Sequence, residues 1–197
     1  MRLSKSAYFA DMGIYAAVCA AVFAVAMWTG GWAQRMRWAA AAATGVAAWS
    51  LLEYLLHRFM FHGTSRIARL HAEHHHFPRA YIGTPTWLSL GVWGVFLFLP
   101  TWQRSSLTMA SGLTTGVCFA YLWYGIVHHV IHHHRPRFLA ARLSGAAYRH
   151  FRHHNPEHCG NFGVTTPLWD HIFGTYLGAR HAAARTAGGR RASLWPQ

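Results

Sequence analysis

Two uncharged apolar runs of 21 residues, 13–33 and 107–127, constrain this chain more than anything else in its sequence. A helix rises about 1.5 Å per residue, so each run matches a hydrocarbon core about 30 Å thick. Within such a core only helices and closed barrels satisfy their own backbone polar groups. A second Ala-rich apolar run covers 38–56, interrupted only by Glu53, and a shorter one covers 86–100, marked by Trp87, Trp93 and Trp102, aromatics of a kind that favours membrane interfaces. The expectation is an all-α integral membrane protein with about four transmembrane helices in two hairpins. With 53% hydrophobic residues and only 5 acidic ones in 197, the chain has too little charge to wet a soluble surface.

Arg2 and Lys5 precede the first run as they would in a signal peptide. The apolar core is long and lacks a small-residue cleavage site, so a retained spanning helix is expected. Glu53, costly to bury alone near a helix end, is expected either to face the bundle interior as a partner of a ligating imidazole or to sit at the interface.

The net charge of +13 alternates with apolar runs, which fits an anionic leaflet rather than nucleic acid. Of the 18 Lys and Arg, 15 lie in the amino terminus, in 57–85 and after 128, leaving Arg35, Arg37 and Arg104 in the other loops. The positive-inside rule therefore places both termini and the histidine-rich segments on the cytoplasmic side. Cys19, Cys118 and Cys159 are odd in number and scattered, which excludes a disulfide framework or a thiolate zinc site.

The chemistry falls to histidine, the commonest metal ligand. Residues 128–154 hold eight histidines in 27 positions, and each hairpin runs into such a cluster. His71, His74 and His75 repeat the i, i+3, i+4 spacing of His150, His153 and His154, which places neighbours on one helical face. His128 and His132 are four apart, and His129 and His133 offer the same spacing one residue along. His57 and His62 are five apart and fall on different faces of an ideal α-helix, so either they serve different metals or the helix bulges. His76, His134, His158, His171 and His181 lack patterned partners and read as surface or supporting residues. A weak likeness between the two halves lets both clusters meet across one face. Residues 138–154 read as an Arg-rich amphipathic helix at the interface. The division expected is one membrane-embedded domain, 1–179, with histidine boxes 57–75 and 128–154, then a basic disordered tail, 180–197.

The four boxes in order, followed by Asn161-Phe162-Gly163 and by Pro167-Leu168-Trp169-Asp170 with Phe173-Gly174-Thr175, resemble the fatty acid hydroxylase and sterol desaturase superfamily over residues 57–175. The resemblance implies a membrane-bound non-haem di-iron enzyme that uses O2 to oxidise a lipid C–H bond, hydroxylation being the expected outcome. Its ligands would be His57, His62, His71, His74, His75, His128, His132, His150, His153 and His154. Pro136 tips the third box toward His128 and His132 over His129 and His133. Cofactors would be two iron ions, with zinc admissible in a purified sample, together with O2 and an external electron donor. Partners would be a lipid from the bilayer and a separate cytochrome b5-like or ferredoxin-like protein.

The chemistry points the same way, since breaking an unactivated C–H bond exceeds what side-chain acids and bases do and calls for a redox metal. No separate catalytic side chain is assigned. Tyr54, Tyr124 and Trp169 are candidate walls of the substrate path, with packing as the alternative role. Two other functions stay open: desaturation within the same superfamily, and a membrane zinc transporter or binding protein, against which the helical spacing of the histidines speaks.

Overall fold

The computed structural model describes residues 2–134, 140–155 and 159–178. Its described residues form helices and loops, apart from one isolated bridge between Arg2 and Ile82. Helix α1 spans Lys5–Thr29, started by the Ser4 hydroxyl accepting from the Ala7 N–H at 3.1 Å and ended by Gly30. Helix α2 spans Trp32–Leu55 and continues as a π-helical turn, Leu56–Phe61. Helix α3 is Arg66–His76, capped by Ser65. Then come α4 (Thr86–Trp93), a second π-helical stretch (Gly94–Phe98) and α5 (Leu99–Arg104), which together make one irregular helix. Helix α6 is Leu107–His133, α7 is Ala140–His153 and α8 is the short Leu168–Ile172.

Three of these elements are long and apolar enough to cross a membrane: Lys5–Thr29, Trp32–Phe61 and Leu107–His133. The expected fourth span, 86–100, falls in the irregular α4–α5 helix and is not among these three. Phe23, Val25, Phe96 and Phe119 point outward, a surface that suits lipid rather than water.

The first hairpin does not pair along its length as expected. Helices α1 and α2 touch only sparsely, whereas α2 lies against α6 throughout and α1 packs on the other side of α6. The reason is a seam of small residues. A Cβ at Gly45 would collide with the Leu113 carbonyl, one at Gly116 with the Ala42 carbonyl, and one at Gly112 would lie 2.6 Å from the Trp38 oxygen. Without side chains there, the α2 and α6 backbones meet directly, the usual way membrane helices gain packing where lipid offers no hydrophobic drive. On the far side of α6, buried Tyr15 and Cys19 of α1 meet Cys118, and the Tyr15 hydroxyl donates to Ser89 Oγ at 2.8 Å.

The amino terminus returns over the histidine end of the bundle. The Leu3 N–H donates to the Tyr81 carbonyl at 2.8 Å, and Arg2 pairs with Glu73 at 2.6 Å. The tail expected as disordered, 180–197, lies outside the described residues, as do His158, His181 and Pro136.

Candidate metal centre

All ten histidines named from the sequence converge, and they form two groups of five. In the first, His57, His62, His71, His75 and His153 each offer a ring nitrogen, all within 4.8 Å of one another. The second holds His74, His128, His132, His150 and His154 at the same closeness. Within the first group Nε2–Nε2 separations are 3.1 Å for His57–His71, 3.0 Å for His71–His75 and 3.0 Å for His62–His153. Within the second they are 3.1 Å for His74–His132, 2.8 Å for His132–His150 and 3.1 Å for His150–His154.

The groups are not the sequence clusters. Helix α3 sends His71 and His75 to one group and His74 to the other, and α7 sends His153 to the first but His150 and His154 to the second. Residues i and i+4 share a face while i+3 diverges enough to reach the neighbouring group, so α3 and α7 each line both. The spacing of His57 and His62 is resolved by the π turn, where i→i+5 hydrogen bonding brings residues five apart round to one side. In the third box His128 and His132 face the second group. His129 and His133 stack on each other at 4.3 Å on another face, where His129 meets Tyr8 and Phe9 and His133 stacks on Tyr81.

A loop after α7 orients two of these rings. His57 Nδ1 lies 2.5 Å from the Phe162 carbonyl and His153 Nδ1 lies 2.9 Å from the Gly160 carbonyl. A carbonyl only accepts, so each Nδ1 carries the hydrogen and each Nε2 keeps its lone pair for the centre of the group. Two buried carboxylates hold that loop. Asp170, fully buried, accepts from the Phe162 and Gly163 N–H groups at 2.8 Å each and from the Thr175 hydroxyl at 2.7 Å. Glu53 accepts from the Val164 N–H at 2.8 Å, the Thr165 N–H at 2.9 Å and the Thr165 hydroxyl at 2.6 Å. Glu53 is thus interior, but it supports the loop and not an imidazole, which corrects the expectation. Asn161, in the left-handed region at φ 55°, bonds back to the Leu177 N–H. The roles of Asp170, Gly160 and Phe162 escaped sequence reasoning. The signal was the scarcity of acids: in a chain with 5, each one set inside an apolar context has a specific partner.

Burial keeps the imidazoles neutral. Outside the spanning helices it lowers His62, His71, His150 and His154, and it pushes His74 and His153 down to about 4 and His75 to about 3. Neighbouring imidazoles add to the effect in all of these but His62. At neutral pH these seven donors are therefore uncharged nitrogens, which suits a borderline divalent cation such as iron or zinc. Each group of five, with no acid among its donors, could hold a metal ion.

Two cavities reach the groups. One, between α1, α3 and α6, is lined by Met12, Ile67, Leu70 and Leu122 and ends at His71, His74 and His128, so it touches both groups. Tyr124 lines it and stacks on His128 at 5.7 Å. Tyr54 and Trp169, the other candidate walls, do not line it: the Tyr54 hydroxyl takes a 2.7 Å bond from Arg58 and Trp169 Nε1 donates to Ser50. The second cavity carries His62, His75, His76, His153, His154 and exposed Cys159. Of the remaining histidines, His134 caps α6 and His171 stacks on Tyr176 at 3.9 Å.

Comparison with known proteins agrees with this architecture. The chain is similar to a dihydroceramide fatty acyl 2-hydroxylase of Arabidopsis thaliana, with 31% identity over 158 residues covering 73% of this chain and 63% of the relative. It is 34% identical over 147 residues to the ceramide very long chain fatty acid hydroxylase of Saccharomyces cerevisiae, covering 68% of this chain and 37% of that protein. Human fatty acid 2-hydroxylase is 28% identical over 145 residues, 66% of this chain and 38% of the relative. The chain therefore spans less than two thirds of the length of these relatives. The solved hydroxylase domain of full-length scs7p shares the fold, with a TM-score of 0.70 at 24% identity over 87% of this chain and 67% of that one. The family model described as fatty acid hydroxylase matches residues 42–175, more than half the sequence, and the chain belongs to that family.

Proposed function

We propose that this protein is a membrane-bound lipid hydroxylase whose ten histidines hold two iron ions. The observation that carries the reading is the apolar cavity that ends on both histidine groups at once. The bound iron would supply the oxidising power that side chains lack, using O2 with two electrons and two protons so that one oxygen atom enters a C–H bond and the other leaves as water. The protein's part is positioning. The apolar walls, Met12, Ile67, Leu70 and Leu122, would bind an acyl chain drawn from the bilayer and exclude water. Tyr124, flat against His128, fixes that ring and narrows the inner end of the cavity. Phe162 and Gly160 hold the tautomers of His57 and His153.

The electrons would come from a separate donor of the cytochrome b5 or ferredoxin kind. The charge distribution supports an orientation with the termini and the metal centre on the cytoplasmic side and with residues 1–179 as one functional unit.

The test is lipid mass spectrometry of cells expressing wild type or His153→Ala. Wild type alone is expected to add the mass of one oxygen to an acyl lipid. Loss of two hydrogens instead would make the protein a desaturase. Metal flux into proteoliposomes with no O2 consumption would overturn the reading in favour of a transporter.

A further inference from the structure

The two cavities differ in what surrounds them. The one that ends on His71, His74 and His128 lies against the spanning helices α1 and α6 through Met12, Tyr15, Leu122 and Gly125. In the other, every lining residue except Phe61, the last of its span, falls outside the spanning helices. Its volume is about 460 Å³. A dication comes from water with about six water molecules, each about 30 Å³ of liquid, so this cavity has room for a hydrated ion. It reaches ligands of both groups, His62, His75 and His153 of the first and His154 of the second. In the first group His62 is the exposed ring. It caps the π turn, and the exposed residues 63–65 separate it from α3, so it stands at the junction of two helices rather than within one. Two donors that line the cavity belong to neither group: the imidazole of His76 and the thiol of Cys159, both exposed.

We infer that this second cavity is a metal-entry site, in which His76 and Cys159 take a divalent ion from the aqueous side and pass it to His62, the exchangeable ligand of the first group. The inference rests on the proposed function only in taking the histidine groups as metal sites. Imidazole and thiolate both suit a borderline cation such as iron or zinc. Taking up the ion in steps exchanges its waters for protein donors a few at a time, and the Cys159 thiol gives up its proton to solvent when it binds. The ion keeps its charge throughout, so no reductant or oxidant is needed. The other cavity, set among spanning helices, offers an ion no such approach from water.

The test uses the full chain, zinc-loaded in nanodiscs, with an enriched zinc isotope in solution as the probe and mass spectrometry of the protein-bound isotopes as the readout. Cys19 and Cys118 are buried and Cys159 is exposed, so a polyethylene-glycol maleimide obstructs this cavity on the folded protein. Labelled protein is expected to exchange its zinc about tenfold or more slowly at unchanged total zinc. Cys159→Ser given the same reagent exchanges at the rate of its own untreated sample, and His76→Ala exchanges more slowly than wild type with its zinc content intact. Ile67→Trp, which fills the other cavity, leaves exchange as in wild type. Exchange at the wild-type rate after labelling, or equal slowing by Ile67→Trp, overturns the inference. The rates are read without O2 or reductant, so a later failure to insert oxygen sinks the hydroxylase reading alone, whereas protein that takes up no metal sinks both.

Discussion

Asp170 and Gly163 are joined by a 2.8 Å hydrogen bond from backbone N–H to carboxylate, so close that a Cβ on Gly163 would lie 3.0 Å from Asp170 Oδ2. Through the next peptides that bond bears on His57, whose Nδ1 is held by Phe162. Asp170→Asn replaces an acceptor of three donors by a group that can turn an N–H toward them. The variant is expected to lose about 3 kcal/mol of stability and ten- to a hundredfold in metal affinity. Thermal unfolding together with metal analysis after dialysis checks this, and a variant that keeps full metal content and stability would show the loop to be dispensable.

The third histidine box gives a paired prediction. His128→Ala or His132→Ala removes a ring from the second group and should leave the purified protein short of about one metal per chain. His129→Ala and His133→Ala, on the face toward Tyr8 and Tyr81, should keep the full complement. Inductively coupled plasma mass spectrometry on the four variants decides the register.

Acid stability follows from burial. His74 and His153 titrate at about 4 and His75 at about 3, against 6.5 in an unfolded chain. Between about 6.5 and about 4 the unfolded chain binds protons that the folded one refuses, so stability rises with pH across this window and is lost as pH falls through it. Metal-free protein in detergent should lose up to about 1.4 kcal/mol per pH unit for each such histidine. Urea unfolding measured from neutral pH downward tests the sign, and a midpoint that rises on acidification would contradict it.

The small-residue seam is the most sensitive point of the spanning bundle. Gly116→Ala puts a methyl group into the Ala42 carbonyl and should cost about 2 kcal/mol or more, with partial separation of α2 from α6. Gly91→Ala, where a Cβ meets nothing within 4 Å, should be neutral or slightly stabilising. Comparing the melting of the two variants separates close approach from helix propensity.

Three spanning segments were legible in the sequence as long apolar runs, whereas the set of ten histidines came from the resemblance of the four boxes, since spacing alone left His129 and His133 as good as His128 and His132. The partners of the helices were not legible. Adjacency suggested that α1 pairs with α2, yet Gly45, Gly112 and Gly116 draw α2 to α6, and the spacing of the last two was the overlooked signal. The division of α3 between two groups also escaped, since His74 and His75 look like one cluster until a second group stands beside them. The π turn at 56–61 was visible only as a contradiction, two histidines set five apart. Glu53 was read correctly as interior and wrongly as an imidazole's partner, because its loop partners Val164 and Thr165 lie more than a hundred residues away.

His57 lies twelve residues beyond Gly45, and His128 lies twelve beyond Gly116, about 18 Å along each helix. The two glycines sit in one seam and the two histidines in different groups. The two helices that meet backbone to backbone at this seam therefore run on, twelve residues later, into different histidine groups. A substitution that widens the seam by the width of a methyl group would detune the spacing of the centre without touching a ligand.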